Sequence, residues 1–156
     1  MSDIFEGDVL LVDTVDGGEI SIINGLVIAD KKFSTAVYLS LFGGNEADQG
    51  RVDNNKTWWG NRFENISENE KIVSRFQAII KSLPLTSKNL LLAEQAAKED
   101  LIWMISEGIA DEIITDIKIV DRFRCELEII IRKDGELIEK SSYKVNWEEI
   151  NNGVSK

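Results

Sequence analysis

The chain has no histidine, one cysteine and one proline. Without histidine, the Ser-His-Asp and Cys-His nucleophile arrangements cannot be built, and the commonest zinc ligand is missing. Cys125 has no second cysteine to pair with, so no intramolecular disulfide can form. Long apolar runs are also missing, and none approaches the roughly 20 residues a membrane helix needs. The opening residues, Met1-Ser2-Asp3-Ile4-Phe5-Glu6, hold no basic region followed by an apolar stretch. The expectation is therefore synthesis in the cytoplasm without a signal peptide. Cations are in the minority: 18 Lys and Arg stand against 28 Asp and Glu, a net charge of −10. That balance argues against nucleic acid or anionic membrane as a partner.

What is present fits one domain over 1–156. The length allows a sizeable core, and 43% hydrophobic with 29% charged residues is ordinary for a globular protein. Asp8 to Asp13 reads as a strand, Val15-Asp16-Gly17-Gly18 as a turn, and Glu19 to Ile23 as a second strand. Together they predict an N-terminal β-hairpin. Asn24-Gly25 is a further turn signal, followed by the apolar run Leu26-Val27-Ile28. Phe33 to Phe42 predicts a short helix, capped by Ser34 or Thr35 and stopped by Gly43-Gly44.

Residues 43–62 form a long loop rich in glycine and asparagine that carries Trp58-Trp59. Glu70 to Ile80 has helical spacing, with Ile72, Phe76, Ile79 and Ile80 on one face, and Pro84 ends it. Thr86 or Ser87 then caps a longer helix to about Ser106, its stripe Leu90, Ala93, Ala97, Leu101, Met104 and Ile105. Gly108 fits its C-terminal cap. Three strands close the chain: Asp116–Val120, Cys125–Arg132 and Leu137–Trp147, the last two joined by the hairpin turn Lys133-Asp134-Gly135-Glu136. Leu137, Tyr143, Val145 and Trp147 share one parity. The tail 151–156 reads as frayed. The fold class is α+β: a small antiparallel sheet, the C-terminal three-stranded meander, with helices packed on one face, plus the N-terminal β-hairpin.

Catalytic signals are weak. Asp111-Glu112 and Glu148-Glu149 are acidic pairs, but nothing in sequence sets two carboxyls at a working separation with one raised pKa. Asn45 to Asn54 is rich in oxygen ligands yet breaks the order of a calcium loop. Gly43-Gly44 lacks the P-loop continuation. No catalytic, cofactor or metal site is expected. Cys125 falls on the apolar face of its strand and reads as a buried structural thiol. Two readings stand for Trp58-Trp59: they pin the long loop to the core, or they anchor an interface, where Trp is enriched.

Thr35-Ala36-Val37-Tyr38-Leu39-Ser40-Leu41-Phe42 followed by Trp58-Trp59-Gly60-Asn61 resembles the A-V-x-x-S-L-F … G-W-W-G-D pattern of a tail protein family from Mu-like phages. Glu107-Gly108-Ile109-Ala110 is similar to that family's W-G-I-A segment, and the hairpin at Arg132 to Gly135 and the closing Trp147 also fit. Asn61 stands where the family has Asp, and Asn55-Lys56-Thr57 stands where it has Arg-Arg-Gly. Ser106-Glu107-Gly108 replaces the E-P-R motif of the related sheath initiators. The resemblance implies a non-enzymatic baseplate wedge component of a contractile tail, which joins wedge subunits and templates sheath assembly. It implies other baseplate wedge proteins and the tail sheath protein as partners, and a place in the virion or tail particle after synthesis in the host cytoplasm. The interface candidates are Trp58, Trp59, Asn61, Tyr143 and Trp147, with Leu137–Trp147 as an exposed sheet edge. One indole of the pair is expected on the helical layer and the other on a neighbouring subunit. The alternatives are a cell-wall glycan hydrolase using paired carboxylates, and an acidic adaptor or inhibitor of a basic partner.

Overall fold

The structure is a computed structural model, and it describes residues 7–14, 17–30, 32–44 and 71–147. Most of the long loop, with Trp58, Trp59 and Asn61, and the tail 151–156 lie outside the described residues.

The architecture is α+β. The C-terminal meander consists of β7 (Glu112–Asp121), β8 (Arg124–Lys133) and β9 (Glu136–Asn146), antiparallel in the order β7-β8-β9. β8 alternates as its sequence predicts: Cys125, Leu127, Ile129 and Ile131 are all fully buried on one face. On β9, Tyr143 and Val145 continue that inward face. Leu137 does not follow its predicted parity and is 58% exposed. The cause is a register shift: Ile131 pairs with Glu139 but Arg132 pairs with Leu137, so the strand carries an extra residue at 138. A bulge of this kind flips every side chain beyond it. Glu139, on the regular side of the bulge, keeps the parity of Tyr143, faces inward and is buried.

The helices cover that inward face. α1 spans Ser34–Phe42, α2 Arg75–Ser82, α3 Ser87–Leu101 and the short α4 Trp103–Ser106. Of the stripe predicted for the long helix, Ala93, Ala97, Leu101 and Met104 are buried. Its small alanines let the helix backbone lie close to the sheet. Thr86 caps α3 by accepting from the Asn89 N–H at 3.2 Å. The single helix expected to reach Ser106 is broken at Ile102 into α3 and α4. Gly108, at φ +71°, ends α4, and the Ile109 and Ala110 N–H groups both donate to the Met104 carbonyl. That left-handed position is why glycine stands there. Gly44 is required by packing instead, since a Cβ there would lie 2.3 Å from the Ile72 carbonyl oxygen.

The cap expected at Ser34 or Thr35 is not made. Phe33 occupies the N-cap position and makes no side-chain cap bond. Thr35 is used elsewhere: its hydroxyl donates to the Val9 carbonyl at 2.6 Å and accepts from the Leu11 N–H at 3.1 Å.

Those two bonds tie the body to an N-terminal module richer than one hairpin. Three two-stranded ribbons form: β1 (Asp8–Val9) with β6 (Ala29–Asp30), β2 (Leu11–Thr14) with β3 (Gly17–Ile20), and β4 (Ile22–Ile23) with β5 (Leu26–Val27). They meet at a closed ring of three backbone bonds. Leu10 N–H donates to Ile28, Ile28 N–H to Ser21, and Ser21 N–H to Leu10, at 2.8, 2.9 and 2.9 Å. The ring satisfies the backbone where each ribbon hands the chain to the next.

Candidate functional site

One of the acidic pairs weighed for catalysis, Asp111-Glu112, braces the fold. The Asp111 carboxylate accepts the Asp134 N–H at 2.8 Å, and Glu112 pairs with Arg132 at 3.2 Å. Both brace the β8–β9 turn and the strand ends. Glu148-Glu149 lies outside the described residues. The most deeply committed carboxylate is Asp100, which sequence reading missed. Its side chain is buried and accepts the Arg75 and Phe76 N–H groups, each at 2.9 Å, so α3 caps the N-terminus of α2 from outside. The signal was its place three residues beyond Ala97, on the buried stripe. Ser74, the residue just before α2, could have capped it locally. Its hydroxyl instead donates to the Ser40 carbonyl at 2.8 Å and accepts the Gly44 N–H at 2.9 Å.

An open groove of about 830 Å³ lies beside this network, lined in part by Ser40, Arg75, Asp100 and Trp103. Its polar walls are tied to each other. Trp103 Nε1 donates to the Ser40 hydroxyl at 3.0 Å, and that hydroxyl donates to the Ala36 carbonyl at 2.8 Å. No group of three or more Cys, Asp or Glu among the described residues could hold a metal ion. Cys125 is fully buried, and burial pushes its thiol up to about 11 from an ordinary 9.0. A thiol so placed stays protonated at neutral pH and is a poor nucleophile.

Two interface candidates turn out to be core. Tyr143 is 7% exposed and sits in an aromatic cluster, 5.4 Å from Phe42 and 6.1 Å from Tyr38 between ring centroids. Trp147 is 2% exposed, and its indole N–H donates to the Leu83 carbonyl at 2.6 Å. That bond joins the end of the sheet to the α2–α3 connection. Tyr143 on β9, and Trp147 just beyond it, share the inward parity of Val145.

What β9 does offer is an edge. No other described strand pairs with it on the side away from β8. Its solvent-facing residues Lys140, Ser142 and Lys144 are exposed. The outer face of the sheet is laced with pairs: Lys140 with Glu128 at 3.6 Å, Lys118 with Asp116 at 2.8 Å, and the Ser142 hydroxyl with Glu126 at 3.0 Å. The bond to Asp116 raises the Lys118 ammonium above its ordinary value. At the β7–β8 turn, Arg124 first and the Phe123 N–H second hold the Asp121 carboxyl below its usual range. Cations here are matched by anions, so the face presents no continuous basic track of the kind a nucleic acid needs.

No helix among the described residues is long and apolar enough to cross a membrane. No curated protein and no solved structure matches the chain. One family model does, over residues 33–137, which is about two thirds of the chain. The match starts at α1 and stops at the beginning of β9, so it takes in neither the N-terminal ribbons nor Trp147, to which the sequence resemblance extends. On that match, the chain belongs to the phage protein GP46 family.

Proposed function

We propose that the chain is a non-enzymatic structural component of a contractile phage or phage-like tail. In this reading it is a baseplate wedge protein that joins neighbouring wedge subunits and templates the first ring of sheath. The observation that carries it is the eleven-residue edge strand β9, which no described strand pairs on its outer side, on a sheet whose inner face the helices have filled. An open edge gives a partner strand a full row of backbone donors and acceptors. Lys140 and Lys144 on that edge discourage promiscuous pairing while leaving one matched partner possible. Membership in a phage protein family and the tie-up of Asp100, Asp111 and Glu112 in the fold support the same reading.

The test is incorporation. Reversing the edge charges with Lys140→Glu and Lys144→Glu should leave a folded chain that fails to enter tail particles. Replacing Trp58 and Trp59 by Ala should likewise give a folded monomer that does not assemble, whereas loss of folding would make both indoles core residues. Purified protein should not digest cell wall. Digestion abolished by a single Asp or Glu substitution would replace this reading with the hydrolase.

A further inference from the structure

The N-terminal module differs from the body in two independent ways. The first is apolar exposure at the tip formed by β4, the Asn24-Gly25 turn and β5. Ile22, Ile23, Leu26 and Val27 are 62, 56, 57 and 48% exposed. Ile22 stands opposite Val27 and Ile23 opposite Leu26. Successive residues of a strand point to opposite faces, so both faces of this ribbon are apolar. An isolated two-stranded ribbon is marginal in water, and here neither face is polar.

The second difference is charge. Residues 1–30 contain seven Asp and Glu and no Lys or Arg, whereas residues 31–156 contain 21 acidic and 18 basic residues. Most of the net charge therefore belongs to the first fifth of the chain. Among the described side chains of this module, Asp8 and Glu19 are exposed. With no Lys or Arg in the segment, cations that match these carboxylates come from elsewhere.

We propose that the Ile22–Val27 tip is a docking surface for a different protein, one that presents an apolar cleft rimmed by Lys and Arg. The ring at Leu10, Ser21 and Ile28 and the two Thr35 bonds hold the base of this arm, so the tip is presented from an anchored mount. A second copy of the chain is the poorer occupant, because pairing two tips sets one all-acidic segment against another. Nucleic acid and anionic lipid are disfavoured by the same charge. The inference rests on the tail-assembly reading only for the pool in which the partner is sought.

The experiment uses the full chain and each protein encoded by the genes flanking its own, purified singly. Binding is measured by titration, and the complex is mapped by hydrogen–deuterium exchange. One flanking product should bind, amides over 20–28 should become protected in the complex, and Ile22→Ser with Leu26→Ser should weaken binding about tenfold or more. High salt should weaken it further. The variant must keep the wild-type exchange pattern in β7–β9. Binding with protection elsewhere and an unaffected double variant would overturn the docking surface and leave the assembly reading intact. Tip-dependent self-association in ultracentrifugation would overturn it in favour of a second copy. Failure of every flanking product to bind the wild-type chain would overturn both.

Discussion

The chain builds the same hairpin turn twice and treats the result in opposite ways. Asn24-Gly25 and Asp134-Gly135 have the same backbone angles, φ 52° at the first residue and 78° at the glycine. Both are two-residue turns whose twist suits the flanking strands. At Asp134-Gly135 the incoming strand alternates, ten to eleven residues per strand give a wide ladder, and helices bury one face. At Asn24-Gly25 the strands are two residues long, the four flanking residues are all apolar, and nothing described covers them. A turn therefore sets only the direction and register of a hairpin. Alternation and strand length decide whether it joins a core or is left for something else.

That contrast can be broken by truncating matched residues. Leu127→Ala in the covered strand should cost about 2–5 kcal/mol, the usual price of a buried leucine with its cavity. Leu26→Ala at the tip should change stability by no more than about 0.5 kcal/mol. Chemical denaturation of both variants reads the difference, and similar losses would mean the tip is packed in the free chain. Asp100→Ala comes next, because it removes the acceptor of two N–H groups at the start of α2, one of them buried. A loss of about 2–3 kcal/mol is expected, with exchange fastest at Arg75 and Phe76.

Smaller effects sharpen the same boundary. Thr35→Val keeps the shape of the side chain but removes both bonds to the Val9–Leu11 backbone. About 1–3 kcal/mol should be lost locally. Amide exchange should accelerate in 8–30 and stay unchanged in β8; acceleration throughout would show that module and body unfold as one. Glu139→Met acts in the other direction. The Glu139 carboxylate is buried, and while one oxygen accepts the Ser141 hydroxyl at 2.7 Å, the other has no partner among the described residues. Replacing it by an apolar side chain should raise stability by about 1 kcal/mol, read as a higher melting temperature. A further effect is confined to high pH. Cys125 titrates higher folded than unfolded, so its contribution is complete below pH 9.0 and is lost as pH rises through about 11. Cys125→Ala should flatten that part of the stability–pH curve.

The meander and the helical stripe were legible because period-two and 3.6-residue patterns run there for ten residues or more. Long runs of one period leave few alternatives. The bulge at 138 was not legible, since Leu137 and Tyr143 share a parity in sequence and only the Ile131–Glu139 pairing separates them. The three-ribbon junction was missed for a related reason. Its defining contacts are backbone bonds among Leu10, Ser21 and Ile28, which no side-chain pattern records. Tyr143 and Trp147 count as interface candidates only through the reading of Leu137–Trp147 as an exposed sheet edge. Their burial follows from the β9 parity that the sequence already displayed. Trp58, Trp59 and Asn61 fall outside the described residues, and the experiments above address the two indoles directly.

The most direct test of a structural role in the tail is the composition of the particle itself. Tail particles from a producing host, washed at high salt, can be quantified by mass spectrometry against the tube and sheath proteins. The expected result is this chain in a fixed, small stoichiometric ratio to the sheath protein, retained through the wash and lost in the Lys140→Glu, Lys144→Glu variant. Particles that assemble and contract normally without the chain would contradict it.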